Sequence, residues 1–191
     1  MRLISGIIII LILVSGCSSK PSLELISSSA EIRDDRSGGI GITSGEREGQ
    51  IIKPISLSYN FVIKNTGKDT IGGTEELNSL TFEYEDGIKL SIEPNEKLKA
   101  VTKEVVGFKI YKEGGRQQAN LGVGKTSIPV LQPNQDGEYT IDFVLGALEE
   151  NPEIRLAPSQ AQLDKLEKNA MEATLVIYSG DKEIARIDLH N

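Results

Sequence analysis

The chain has one cysteine, one histidine and no tryptophan in 191 residues, and Phe and Tyr together supply only 5%. Each scarcity excludes something. With Cys17 alone there is no internal disulfide, so the fold must stand on noncovalent packing. His190 is the only histidine and lies beside the last residue, where it reads as a frayed surface side chain. That removes Ser-His-Asp and Cys-His catalysis from any folded core, and His-based zinc sites with them. Few aromatics leave Ile, Leu and Val to build the interior.

Acid outweighs base. The formal charge is −7. Setting aside residues 1–16, which hold only Arg2, leaves 20 basic against 28 acidic side chains. Such a surface does not attract nucleic acid or anionic lipid head groups, and it favours solubility.

The amino terminus has an order of its own. One positive charge at Arg2 precedes an apolar run from Leu3 to Val14. As a helix, that run would reach ~18 Å at about 1.5 Å per residue. It is short for a bilayer core of about 30 Å, so it reads as a signal peptide and not as a membrane span. The run ends in Leu13-Val14-Ser15-Gly16-Cys17. Ser15 and Gly16 are small, so an extended backbone there fits a narrow groove, and Cys17 carries a nucleophilic thiol. This segment resembles the lipobox of bacterial lipoproteins. The resemblance implies that Leu13, Ser15 and Gly16 are recognised by the signal peptidase, and that Cys17 becomes the lipidated first residue, carrying at least two acyl chains such as palmitate. Two chains, at about 0.8 kcal/mol per buried CH₂, hold a protein on a membrane essentially permanently. Ser18 to Ser22 would form a short polar tether.

The remaining pattern is mostly that of strands. Leu23 to Arg33 alternates loosely. Residues 34–50 are polar and carry five glycines, which predicts a mobile loop or second linker. Ile55, Leu57, Tyr59, Phe61 and Ile63 alternate with polar residues, the mark of a half-buried strand. Phe82 to Tyr84 and Ile88 to Ile92 flank Asp86-Gly87, which predicts a type I′ hairpin. Leu98 to Tyr111 reads as further strand. Tyr139, Ile141, Phe143 and Leu145 alternate again, and Thr174–Tyr178 with Ile184–Leu189 predicts a last hairpin around Ser179-Gly180-Asp181. One helix is expected, from a capping box at Ser159 and Gln162 and an apolar stripe at Leu163, Leu166 and Ala170. Two similar stretches, Ile92-Glu93-Pro94-Asn95 and Leu131-Gln132-Pro133-Asn134, read as strand-to-strand turns, since Pro fixes φ and Asn tolerates the left-handed region.

The fragments that hint at chemistry are weak. Gly124-Lys125-Thr126 matches the end of a P-loop, but Ala119 stands where its first glycine belongs, and Ile128-Pro129-Val130 cannot open a helix. It reads as a solvated loop. The adjacent pairs Asp34-Asp35, Glu75-Glu76 and Glu149-Glu150 would point to opposite faces of a strand. Asn134 to Glu138 lacks the spacing of a twelve-residue calcium loop and reads as a tight turn. No metal or cofactor is expected.

The Tyr59-to-Gly67 segment, with its Asn65-Thr66-Gly67 end, and the later Leu131-Gln132-Pro133-Asn134 resemble the immunoglobulin-like modules of secreted bacterial proteins. That resemblance implies a mainly β fold: an antiparallel β-sandwich with one short inserted helix. The expected organisation is a signal peptide over 1–16; lipidated cysteine, tether, possible first strand and Gly-rich loop over 17–53; and the sandwich domain over 54–191. The expected function is a non-enzymatic binding or structural lipoprotein of the cell envelope. It would be extracytoplasmic, anchored in the membrane through lipid on Cys17, and would meet an envelope protein or polymer. Two other classes stay open: a hydrolase using carboxylates brought from distant strands, and a small-ligand carrier with an enclosed apolar pocket of several hundred Å³.

Overall fold

A computed structural model describes residues 22–36, 38–79 and 83–190. Leu13, Ser15, Gly16, Cys17 and Phe82 lie outside the described residues. The fold is mainly β, built from antiparallel sheets with three helices among the described residues.

The larger sheet orders β1 (Leu23–Arg33), β4 (Pro54–Asn65), β9 (Asp136–Ala147) and β7 (Val123–Thr126) side by side. The alternation read in the sequence holds in its two central strands. Leu57, Tyr59, Phe61 and Ile63 of β4, and Tyr139, Ile141, Phe143 and Leu145 of β9, turn to one buried face. β1 pairs with β4 from Leu23↔Asn65 to Arg33↔Ser56, so this sheet runs across residues 53 and 54. The second sheet orders β11 (Lys182–Asp188), β10 (Ala173–Ser179) and β6 (Ile88–Pro94). The hairpin of β10 and β11 turns at Gly180-Asp181 as expected, with Ser179 opposite Lys182. Both sheets contribute to a single hydrophobic core together with α1 (Glu96–Val105) and α3 (Gln160–Asn169).

Several expectations give way. Ile88, Leu90 and Ile92 do not fold back on Tyr84, which bridges to Leu77. They pair with β10, setting Leu90 opposite Ile177 and Ile92 opposite Leu175. Neither Asp86 nor Gly87 has the positive φ of a type I′ turn, and the turn closes early, with Gly87 N–H on Tyr84 O at 3.1 Å. A seven-residue ladder whose inward side chains are all apolar buries more than a local hairpin carrying Glu83 and Glu85. Residues 96–105 are helix, not strand. Asn95 caps α1 by accepting Leu98 N–H at 3.0 Å, and Leu98, Val101, Thr102 and Val105 fall on its buried stripe. The Pro94-Asn95 turn therefore leads from strand to helix. Its counterpart does join strands: Asn134, at φ 63°, links β8 (Val130–Leu131) to β9, and β8 pairs with β5 (Ile71–Gly72). The expected helix forms as α3, with the Ser159–Gln162 capping box and buried Leu163 and Leu166. The third helix, α2 (Glu113–Gln118), is short and has no buried residue.

Residues 38–53 are a packed ribbon and not a linker. β2 (Ile40–Gly41) pairs with β3 (Ile51–Ile52), and Ile42 and Ile52 cover Ala147 at the end of β9 in a small second core. Gly146 lets residues 155–157 lie against the same end of β9. Its φ is 139°, and a Cβ there would lie 2.6 Å from Arg155 O.

Tyr59 is the hub of the main core. Its ring lies edge-on to Phe143 and Tyr111, and its hydroxyl donates to Ala170 O at 2.9 Å and meets Tyr111 Oη at 2.8 Å. Burial pushes both phenols above their ordinary range. Glu172 ties α1 to β10 and the carboxyl-terminal tail. It is 7% exposed and binds Lys97 Nζ, Asn95 Nδ2 at 2.9 Å and His190 Nδ1 at 3.3 Å. His190 is thus held in place, helped by Leu189 N–H on Ala173 O. The Lys97 ammonium and the Asn95 amide hold the Glu172 carboxyl below its ordinary value of about 4.5.

Three substitutions check this account. Leu175→Ala empties a fully buried site in the middle strand, and should cost about 2–5 kcal/mol in denaturant unfolding. Ile26→Thr, at a position 49% exposed, should change stability by less than about 0.5 kcal/mol. Glu172→Gln should lower Tm above pH 4.5. The deficit should vanish as pH falls through the lowered folded value, because a depressed carboxylate stabilises only while ionised. A pH-independent deficit would refute the ionic role of Glu172.

Candidate binding cleft

The two sheets leave one side of the core open, between edge strands β6 and β7. A cavity of about 840 Å³ lies there. Its floor is core: Ile88 and Leu90 of β6, Tyr139 and Ile141 of β9. Its walls carry charge: Glu83 and Lys89 on one side, Lys125 on the other, and Glu113 and Arg116 from α2.

Backbone alternation shows which groups face this opening. Asn95 N–H crosses to Glu172 O, the β10 side, whereas Ile88 N–H leaves the sheet for Pro129 O at 2.9 Å. In an antiparallel strand the direction alternates, so the amides and carbonyls of Leu90 and Ile92 point away from β10. On β7, Val144 N–H donates to Gly122 O. Gly124 and Thr126 therefore face β9, and Val123 and Lys125 turn their backbone outward. Among the described residues no strand continues either sheet at these edges.

Arg116 is the most distinctive group. Its guanidinium sits 5.8 Å above the Phe143 ring and donates to Ile110 O at 2.8 Å. Burial lowers its pKa, with Glu113 opposing the shift. No carboxylate stands within ion-pair distance of it among the described residues, whereas Lys125 meets Glu83 at 3.4 Å. Gly115 allows α2 to come this close, since a Cβ there would lie 2.4 Å from Lys109 O. A second hollow of about 570 Å³ adjoins at Glu83 and Lys89, and is lined by Glu76, Glu85, Asp86 and Asp181.

The residues singled out in the sequence fare unevenly. Cys17 and its recognition residues lie outside the described residues. Gly124-Lys125-Thr126 belongs to edge strand β7 and not to a solvated loop, and Lys125 and Thr126 line the cleft. With no helix after it, this fragment cannot cradle a phosphate as a P-loop does. Of the acidic pairs, Asp35 binds Arg33, which brings its carboxyl down to about 2, and Glu149 binds Arg47 at 2.9 Å. Asp142 accepts a hydrogen bond from Ser58, its partner across β4 and β9, on the face away from the core. Among the described residues no group of three His, Cys, Asp or Glu could hold a metal ion, and no helix is long and apolar enough to cross a membrane. Arg116 was invisible beforehand, because Glu113-Gly114-Gly115-Arg116 has neither helical nor strand periodicity. Only the meeting of two sheet edges makes it part of a site.

Compared with known protein families, with curated proteins and with solved structures, the chain matches none.

Proposed function

We propose that the chain is an extracytoplasmic lipoprotein, anchored in the cell membrane through lipid on Cys17, and that it binds partners without catalysing a reaction. One observation carries the reading. Leu13-Val14-Ser15-Gly16-Cys17 resembles a lipobox, and Ser22, five residues on, is already hydrogen-bonded to Thr66 of the folded body. The two sheets around one core suit an immunoglobulin-like sandwich, a scaffold that presents edges and loops. The fold alone does not choose a function, so the site must.

The cleft favours an extended segment of an envelope protein. Such a segment can add to a sheet edge through main-chain hydrogen bonds, while pockets for alternate side chains give selectivity. The outward amides and carbonyls of Leu90 and Ile92 offer that edge. Arg116, with no carboxylate in ion-pair distance among the described residues, favours an acidic side chain on the partner. The cleft is open and rimmed with charge, unlike the enclosed apolar pocket of a lipid or small-molecule carrier.

Cys17→Ser tests the anchor. The variant should leave the membrane fraction on cell fractionation, and its retention there would sink the reading. For the cleft, a photo-crosslinking side chain in the lipidated protein of intact cells should give discrete adducts from Lys89 and Val123, and none from exposed Lys182. Equal labelling from all three positions would remove the cleft from the proposal.

A further inference from the structure

We infer that the end of the sandwich formed by Ser22, residues 65–69 and residues 132–136 faces the lipid head groups, and that the opposite end is held away from them. The inference rests on lipidation of Cys17 and adds a direction to it.

The first part of the argument is where the chain enters the fold. Ser22 is fastened to the turn after β4. Its hydroxyl meets Thr66 Oγ1 at 2.7 Å, and its carbonyl accepts Thr66 N–H at 2.9 Å. That turn is joined in its turn to the one before β9, by Asn134 N–H on Asn65 O at 2.8 Å and Asn65 N–H on Gln135 O at 3.0 Å. Buried Asn65 completes the knot, its side chain donating to Asp69 O and Leu131 O and accepting Gly67 N–H. The point of entry is therefore one rigid end of the body.

The second part is length. Five residue steps separate Cys17 from Ser22, and they reach at most ~18 Å at about 3.6 Å each. β4 has twelve residues and spans ~40 Å at about 3.3 Å per residue. Inverting the domain would carry Ser22 a full strand length from the membrane, more than twice what the tether can cover. The inverted pose is excluded by length alone.

The third part is surface chemistry. The Ser22 end exposes Thr66, Lys68, Asp69, Gln132 and Asn134, polar groups suited to a hydrated head-group layer. The far end carries exposed Ile51, Leu148 and Leu156, at 72%, 64% and 45%. Left untethered, those apolar side chains would favour contact with lipid. The tether opposes that preference. The flanks offer no reason to lie flat, because the body as a whole is acidic and gains nothing from anionic head groups.

The test uses full-length lipidated protein in phosphatidylcholine vesicles that contain a lipid with a head-group quencher. Single fluorophores are placed through Lys68→Cys, Ser44→Cys and Glu150→Cys, all at exposed positions. Quenching should be several-fold stronger at position 68 than at 44 or 150. Equal quenching at all three, the result for a body lying on its side, overturns the inference, as does stronger quenching at 44 or 150. Should the protein lack acyl chains on its amino-terminal peptide and stay in the supernatant when vesicles are sedimented, the anchoring reading fails and the orientation with it. A lipidated, vesicle-bound protein with the wrong pattern fails on orientation alone.

Discussion

The closure of two sheets over the inward face of β4 is the constraint on which the rest of the molecule depends. β4 has a neighbour on each side, β1 and β9, and its inward row from Ile55 to Ile63 is almost wholly removed from water. Tyr59 stands in the middle of that row. Its ring packs among aromatics from β4, β9 and the segment after α1, and its hydroxyl reaches the end of α3. A buried hydroxyl without partners would be costly. Here it is satisfied by Ala170 and Tyr111, so polar demand and apolar packing select the same arrangement of strands and helices.

That closure is one-sided, and the candidate site follows from the asymmetry. α3 covers the β1 side of the interior, with Ile32 N–H on the Glu167 carboxylate, and is tied to α1 by Lys165 and Glu104. Among the described residues, the β6 and β7 side has near it the short α2, the stretch around Glu83 and Tyr84, and Ser127 to Pro129. Core residues thus form the floor of an open cleft, and backbone groups that a further strand would satisfy line its edges. A free edge is a hazard for an isolated domain. The charged residues at this one, Lys89, Lys125 and Arg116, discourage indiscriminate pairing and leave it available to a segment of suitable charge.

The proposed anchor and the cleft belong to different levels of organisation. The anchor would be chemical and local, a single thiol with small residues before it. The cleft is collective, made from parts of the chain up to 58 positions apart, from Glu83 to Ile141. Their proposed relation is geometric: a tether of five residues joined to one end of the body would set both how far it stands from the membrane and which way it points.

Local pattern was enough wherever the side-chain period and the burial agree. Alternation in 55–63 and 139–145 named two central strands and their inward faces, Ser159 and Gln162 named a helix start, and Gly180-Asp181 named a hairpin. The same reasoning gave 88–92 the wrong partner and took 96–105 for strand. Asp86-Gly87 is a good turn signal, yet β10 offered Ile88, Leu90 and Ile92 a longer apolar ladder. Asn95 was taken to turn a strand, but the stripe of Leu98, Val101, Thr102 and Val105 made it a helix cap. By itself the sequence determined the mainly β character and made the case for a lipidated Cys17, since each depends on residue identity or short-range period. Which strands are neighbours, which edges stay free and where Arg116 stands were decided only by the tertiary structure, because burial compares whole surfaces from distant parts of the chain and no local pattern carries that comparison.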